Sequence, residues 1–154
     1  MIVKCHELIP LIQFSLGHDH RVKLSVDGAS MMPFIRSGST VELASIKRPM
    51  RGDIVLAESG PKKYVIHRIV KLNNGQVWLR GDANRSGEGP ISHSSLLAKV
   101  VNVKFGRFCY NPGKGCGKFL AFLWISLFPL NVLFLGFCLR LRRAVKFQLK
   151  KFGI

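Results

Sequence analysis

Polar and apolar residues alternate with period two over residues 21–26, RVKLSV, and strand-like apolar stretches return at 39–44, 53–57, 63–72, 76–80 and 96–105. Successive side chains of a strand point to opposite faces, so these stretches predict six short strands. Turn residues separate them. Asp27-Gly28 and Ser37-Gly38 close the first interval, Pro49 and Gly52 the next, and Asn73-Asn74-Gly75 predicts a tight hairpin between the fourth and fifth strands. The fifth and sixth are joined by GDANRSGEGPISHSS (81–95), which reads as a polar, glycine-rich loop. Ahead of the first strand, Leu8, Ile12 and Leu16 recur at helical spacing and predict a short amphipathic helix. The expectation is a mainly β domain over residues 1–110.

The pattern changes after NPGKGCGK (111–118), a hinge-like stretch. Residues 119–139, FLAFLWISLFPLNVLFLGFCL, contain no charged side chain. A helix of that length spans about 31 Å, close to the hydrocarbon thickness of a bilayer, so the segment predicts a transmembrane helix, with Pro129 and Asn131 placed where it could kink. In the tail (140–154), Leu141, Val145, Leu149 and Phe152 form an apolar stripe, with Arg142, Arg143, Lys146 and Lys150 mostly off it. That is the pattern of a basic amphipathic helix on anionic headgroups.

Charge sharpens this picture. The chain carries 24 Lys+Arg against 8 Asp+Glu, and its last acidic residue is Glu88. Such an excess calls for an anionic partner, nucleic acid or a membrane surface. The apolar stripe of the tail is superfluous for nucleic acid, so anionic membrane lipids are the expected partner and nucleic acid is not. The basic tail belongs on the cytoplasmic side of a single span. A single-pass C-terminal anchor would then put residues 1–118 on the far side, yet no secretory signal is visible before them. Cys109 and Cys116 could close a small loop, although unpaired cysteines are the expectation. His18 and His20 share one strand face but lack a third ligand nearby, so neither a metal nor a cofactor is expected.

Three residues carry candidate chemistry. Ser30 follows the first strand in a turn, His67 lies within the apolar strand YVIHRIV, and Asp82 opens the polar loop. Hydroxyl, base and orienting carboxylate are the parts of an activated serine nucleophile. The surrounding residues carry a family resemblance. GASMMP (28–33) resembles the Gly-x-Ser-Met-x-Pro box of type I signal peptidases, and RPMRGDIVLA (48–57) the Gly-Asp-Ile-Val strand that follows it. YVIHRIV (64–70) is similar to the segment of the archaeal and endoplasmic-reticulum branch, where histidine replaces a lysine base. RGDAN (80–84) resembles that branch's Gly-Asp-x-Asn box, and LLAKVVNV (96–103) its closing strand.

The resemblance implies a signal-peptidase-like core of coiled β-sheets and a serine endopeptidase acting on precursor peptides with small residues before the cut. Ser30 would be the nucleophile, His67 the base and Asp82 the orienting acid, with Glu88 as the alternative acid. Gly28, Met31 and Pro33 would shape the substrate site, and the Ser30 N–H would serve the oxyanion hole. An unperturbed histidine base would bring activity up through about pH 6.5. The sequence departs from the family in the C-terminal position of its anchor and in Glu88, where aspartate is usual. Two rivals remain. A LexA-like self-cleaving regulator would need a lysine base and a DNA-binding domain, and no helix-turn-helix fits before residue 21. A catalytically silent membrane-tethered binding module would not need Ser30 and His67 together.

Overall fold

Strand β3 (Ile54–Gly60) shows how the chain organises its interior. Ile54 and Leu56 point to one face, Val55 and Ala57 to the other, and all four are buried. The first pair joins Ile9, Met31, Val41, Leu43, Ile66 and Val100 in one core. The second joins Val65, Ile69, Val77 and Leu79 in another. A strand between two apolar layers must be apolar at every position, which explains the unbroken run in the sequence. The structure is a computed structural model that describes residues 8–128 together with Leu130 and Leu133.

Among the described residues are eight strands. Besides β3 they are β1 (Val22–Val26), β2 (Ser39–Ala44), β4 (Lys63–Asn73), β5 (Gln76–Arg80), β6 (Glu88–Ser92), β7 (Leu96–Phe105) and β8 (Phe108–Tyr110). All the pairings are antiparallel, in the order β1-β2-β7-β3-β4-β5-β6, with β8 added to β7. The mainly β architecture read from the sequence is therefore present. Strand β7 is shared: its second half pairs β2 (Thr40↔Lys104, Leu43↔Val100) and its first half pairs β3 (Val55↔Lys99, Ala57↔Leu96). In a flat sheet β1 and β4 would stand four spacings apart, about 19 Å. The sheet instead coils, so that the loop leaving β1 folds back over β4.

Helix α1 (Ile9–Gly17) carries Pro10 in its first turn, where a missing N–H breaks no helical bond. It buries Ile9, Ile12 and Leu16, while Leu8, placed on the stripe by spacing alone, is exposed. Helix α2 (Gly115–Ser126) takes up the end of the 111–118 stretch and the start of the apolar segment. Among the described residues no helix is long and apolar enough to cross a membrane. Most of 127–139, where the expected span continues, and the whole tail 140–154 lie outside the described residues. Cys109 and Cys116 are free and exposed.

Candidate active site

The turn after β1 is built to hold one polar side chain above a buried base. The Asp27 carboxylate accepts hydrogen bonds from the Gly28 N–H (2.8 Å) and from the Ser37 hydroxyl. Further on, the Met32 N–H donates to the Ala29 carbonyl (3.1 Å) and the Ile35 N–H to that of Met31 (2.9 Å). Met31 and Ile35 are completely buried in the first core and root the turn there. Ser30, beside Met31, stays half-buried. Met31 is buried beneath the serine and supports it from the core side, without an exposed surface to offer a substrate. Pro33, after a cis Met32–Pro33 bond, is exposed, and Gly28 has φ 112°, a conformation suited to glycine.

A second support comes from the loop after β5. The Ala83 N–H donates to the Ser30 carbonyl at 2.8 Å. A Cβ on Gly81 would stand 2.6 Å from that same carbonyl oxygen, so the close approach of the two backbones requires glycine there. On the other side of Ser30, His67 projects from the middle of β4, opposite Val55 of β3, and is 3% exposed. Its Nε2 lies 3.2 Å from Ser30 Oγ. A hydroxyl and an imidazole 37 positions apart in sequence are thus within hydrogen-bonding distance.

The sequence of residues 5–101, more than half of the chain, matches the peptidase S24-like family. The chain belongs to the peptidase S24-like family. That family covers signal-peptidase-like and LexA-like self-cleaving serine peptidases, and the matched span contains Ser30, His67, Asp82 and Glu88. No curated protein matches the chain.

Among the described residues of this S24-like domain, the carboxylate paired with His67 belongs to Glu88. Its Oε2 lies 3.6 Å from His67 Nδ1, while its Oε1 accepts from Lys63 Nζ at 3.2 Å. Glu88 begins β6, opposite Leu79 of β5, between Gly87 and Gly89. A Cβ on Gly87 would meet the Leu79 carbonyl at 2.8 Å, and one on Gly89 the Val77 carbonyl at 2.8 Å. The two glycines let β6 run hard against β5, which fixes the backbone on either side of the carboxylate. Burial drives the His67 imidazolium pKa down to about 4, with the Glu88 carboxylate pulling the other way.

Asp82, expected to orient His67, faces elsewhere. Its two oxygens accept from Arg68 Nε (2.7 Å) and Nη2 (2.6 Å), a bidentate pair whose side chains are only 3% and 1% exposed. The correction follows from strand geometry: His67 and Arg68 are neighbours on β4 and leave it on opposite faces. Burial pushes the Asp82 carboxyl upward, and the Arg68 guanidinium opposes it. Arg68 also donates to the Gly52 carbonyl (2.9 Å) and lies over the Phe34 ring. Asp82 and Arg68 therefore clamp the loop that hydrogen-bonds to the Ser30 carbonyl.

Two contributors escaped sequence reasoning. Arg68 reads as one more cation in a basic chain, although an arginine inside the apolar run VIHRIV needs a buried partner and was itself a signal. Trp124 of α2 donates from Nε1 to the Asp82 carbonyl (3.0 Å) and meets the Phe34 ring edge-on, with centroids 5.3 Å apart. Nothing in the apolar run around it marks it out.

Proposed function

We propose that the protein is a membrane-attached serine endopeptidase of the signal-peptidase type, removing leader or signal peptides from precursors through an acyl-enzyme. Ser30 is the nucleophile, His67 the base and Glu88 the orienting acid. The observation that carries this reading is the 3.2 Å approach of His67 Nε2 to Ser30 Oγ. Neutral His67, with Nδ1–H turned toward Glu88, presents the Nε2 lone pair to the hydroxyl. Ser30 Oγ attacks the scissile carbonyl, and its proton passes to Nε2. In this reading the Ser30 N–H serves the developing oxyanion. The imidazolium returns the proton to the leaving amine, and water then hydrolyses the ester by the reverse sequence.

Strand β1 ends the sheet order among the described residues and leads directly into Ser30. A substrate lying extended beside it would gain main-chain hydrogen bonds and bring its carbonyl to the turn. Small residues before the cut suit such an approach. The LexA-like reading shares the family but calls for a lysine base. The base at Ser30 is histidine, and Lys63 is engaged by Glu88.

The reading is tested with a fluorophosphonate serine probe. The wild-type chain should gain one adduct, mapped to Ser30, and Ser30→Ala should gain none. A folded wild-type chain that takes no probe would leave the silent binding module.

The pH dependence supplies a second expectation. The base works only when neutral, so kcat/KM is present above the free-enzyme His67 pKa and lost below it. With that pKa at about 4, activity should be level through pH 6.5 and fall toward pH 4. The same shift bears on stability. The folded-state pKa lies below the unfolded value of 6.5, so the stabilising contribution is complete above pH 6.5 and declines toward pH 4. A kcat/KM profile rising only above pH 8 would point to an amine base instead.

A further inference from the structure

Helix α2 carries two unlike faces, although from Phe119 to Ile125 its sequence is apolar all round. On one face Ala121 and Ile125 are buried, and Trp124 between them is fixed to the Asp82 carbonyl and the Phe34 ring. Beyond the helix end, Arg80 lies over the Phe128 ring, 3.5 Å from its centroid. On the other face Phe119 is 65% exposed, Phe122 64%, Leu123 42% and Leu127 47%. A helix of 12 residues is about 18 Å long. Held to a domain with a charged surface through Ala121, Trp124 and Ile125 of its second half, it cannot lead straight into hydrocarbon without drawing that surface in after it.

Cations border the exposed face. Arg51 and Lys118 line a cavity of about 280 Å³ between the turn before β3 and α2, together with Ala121, Phe122 and Ile125. Through Gly113 this cavity adjoins a larger one of about 560 Å³, lined by Lys47, Arg48 and Lys114 as well as by Asp19. Lysine and arginine stems can lie along apolar surface while their charges reach phosphate. We infer that α2 lies in the plane of an anionic bilayer, its outward phenylalanines and leucines at the acyl boundary and this basic rim among the headgroups. The inference rests on the membrane attachment proposed above and replaces a perpendicular entry at residue 119 with an in-plane one. The peptidase domain is then held against the bilayer.

The full chain, with its native cysteines replaced by serine, tests this in vesicles of phosphatidylcholine and phosphatidylglycerol. Single cysteines at the exposed positions 119, 122, 123 and 127 carry an environment-sensitive fluorophore, and spin-labelled lipids report its depth. Equal, shallow depths at all four support the in-plane helix. Depth increasing from 119 to 127 by about 12 Å would overturn it while leaving membrane attachment intact. Vesicle binding with no quenching at any position would give this face to a second copy of the chain. Failure to float with vesicles would overturn both the attachment and the inference. Arg51→Glu with Lys118→Glu should weaken vesicle binding about tenfold or more. The same reversal at Lys62 and Lys71, outside both cavities, should weaken it distinctly less. Equal losses would remove the assigned role of the rim.

Discussion

Turnover should fall about a million-fold in Ser30→Ala and by a similar factor in His67→Gln, and the double variant should be hardly slower than either. The two side chains meet at 3.2 Å and, in the proposed mechanism, act in one step, the transfer of the hydroxyl proton as Oγ attacks. Removing either ends that step, so the second loss finds nothing left to remove. Ser30→Ala spares the fold, because the serine's tie to the 81–84 loop runs through its backbone carbonyl. Glutamine at 67 roughly fills the imidazole's place in β4 without supplying a base. Single-turnover cleavage of a peptide substrate measures all three variants, and thermal melting checks that each is folded. Losses that multiply would mean the two residues act on separate steps, and a Ser30→Ala chain that still cleaves would remove the nucleophile.

Much of the scaffold was legible because its signals are local. Period-two alternation marked the first strand, short apolar runs between turn residues marked five more, and Asn73-Asn74-Gly75 marked a hairpin. The register opposes Asn73 to Gln76, leaving Asn74 and Gly75 as the two-residue loop with φ of 46° and 75°. Strand β6 was missed because Glu88–Ser92 is an edge strand with a single large apolar residue, Ile91, and a proline at 90. It sits inside a stretch whose composition says loop. The one-sided packing at the start of the apolar segment is equally silent: Ala121, Trp124 and Ile125 cannot be told from outward-facing neighbours when nearly every residue nearby is apolar.

The choice between the two acids failed for a more specific reason. Flanking glycines ordinarily loosen a residue, whereas Gly87 and Gly89 permit a close approach to β5 that fixes the backbone at Glu88. The extra methylene of glutamate adds freedom but also reach. Strand β6 lies two places from β4, a separation of about 10 Å between backbones, and the longer side chain helps to cover it. Asp82 opens the loop at the end of β5. Its partner was decided by the parity of β4, which sends His67 to one face and Arg68 to the other. A box recognised in sequence gives the residues that gather, and the coiling of the sheet decides which of them touch.

That difference yields opposite signatures for the two carboxylates. Glu88→Gln should lower kcat by about a hundred- to ten-thousand-fold, since the amide cannot stabilise the imidazolium and can hold the ring in the wrong tautomer. The effect should sit at the lower end of that range if the 3.6 Å contact does not tighten when substrate excludes water. The melting temperature should barely move, because Glu88 is partly exposed and its pair with Lys63 is a surface ion pair. Asp82→Asn should do the reverse. It leaves Arg68 buried without its counter-charge, which costs about 3–5 kcal/mol when one partner of such a pair is removed. The kcat of the molecules still folded should change far less, because Asp82 reaches Ser30 only through the backbone of its loop. Arg68→Met combined with Asp82→Leu should recover much of the lost stability, since hydrophobic replacement of both partners removes the stranded charge. Denaturant melts and kcat measured on the same preparations separate the two effects. A larger kcat loss in Asp82→Asn than in Glu88→Gln, with both chains folded, would return the orienting role to Asp82, and small losses in both would mean that His67 works without a carboxylate.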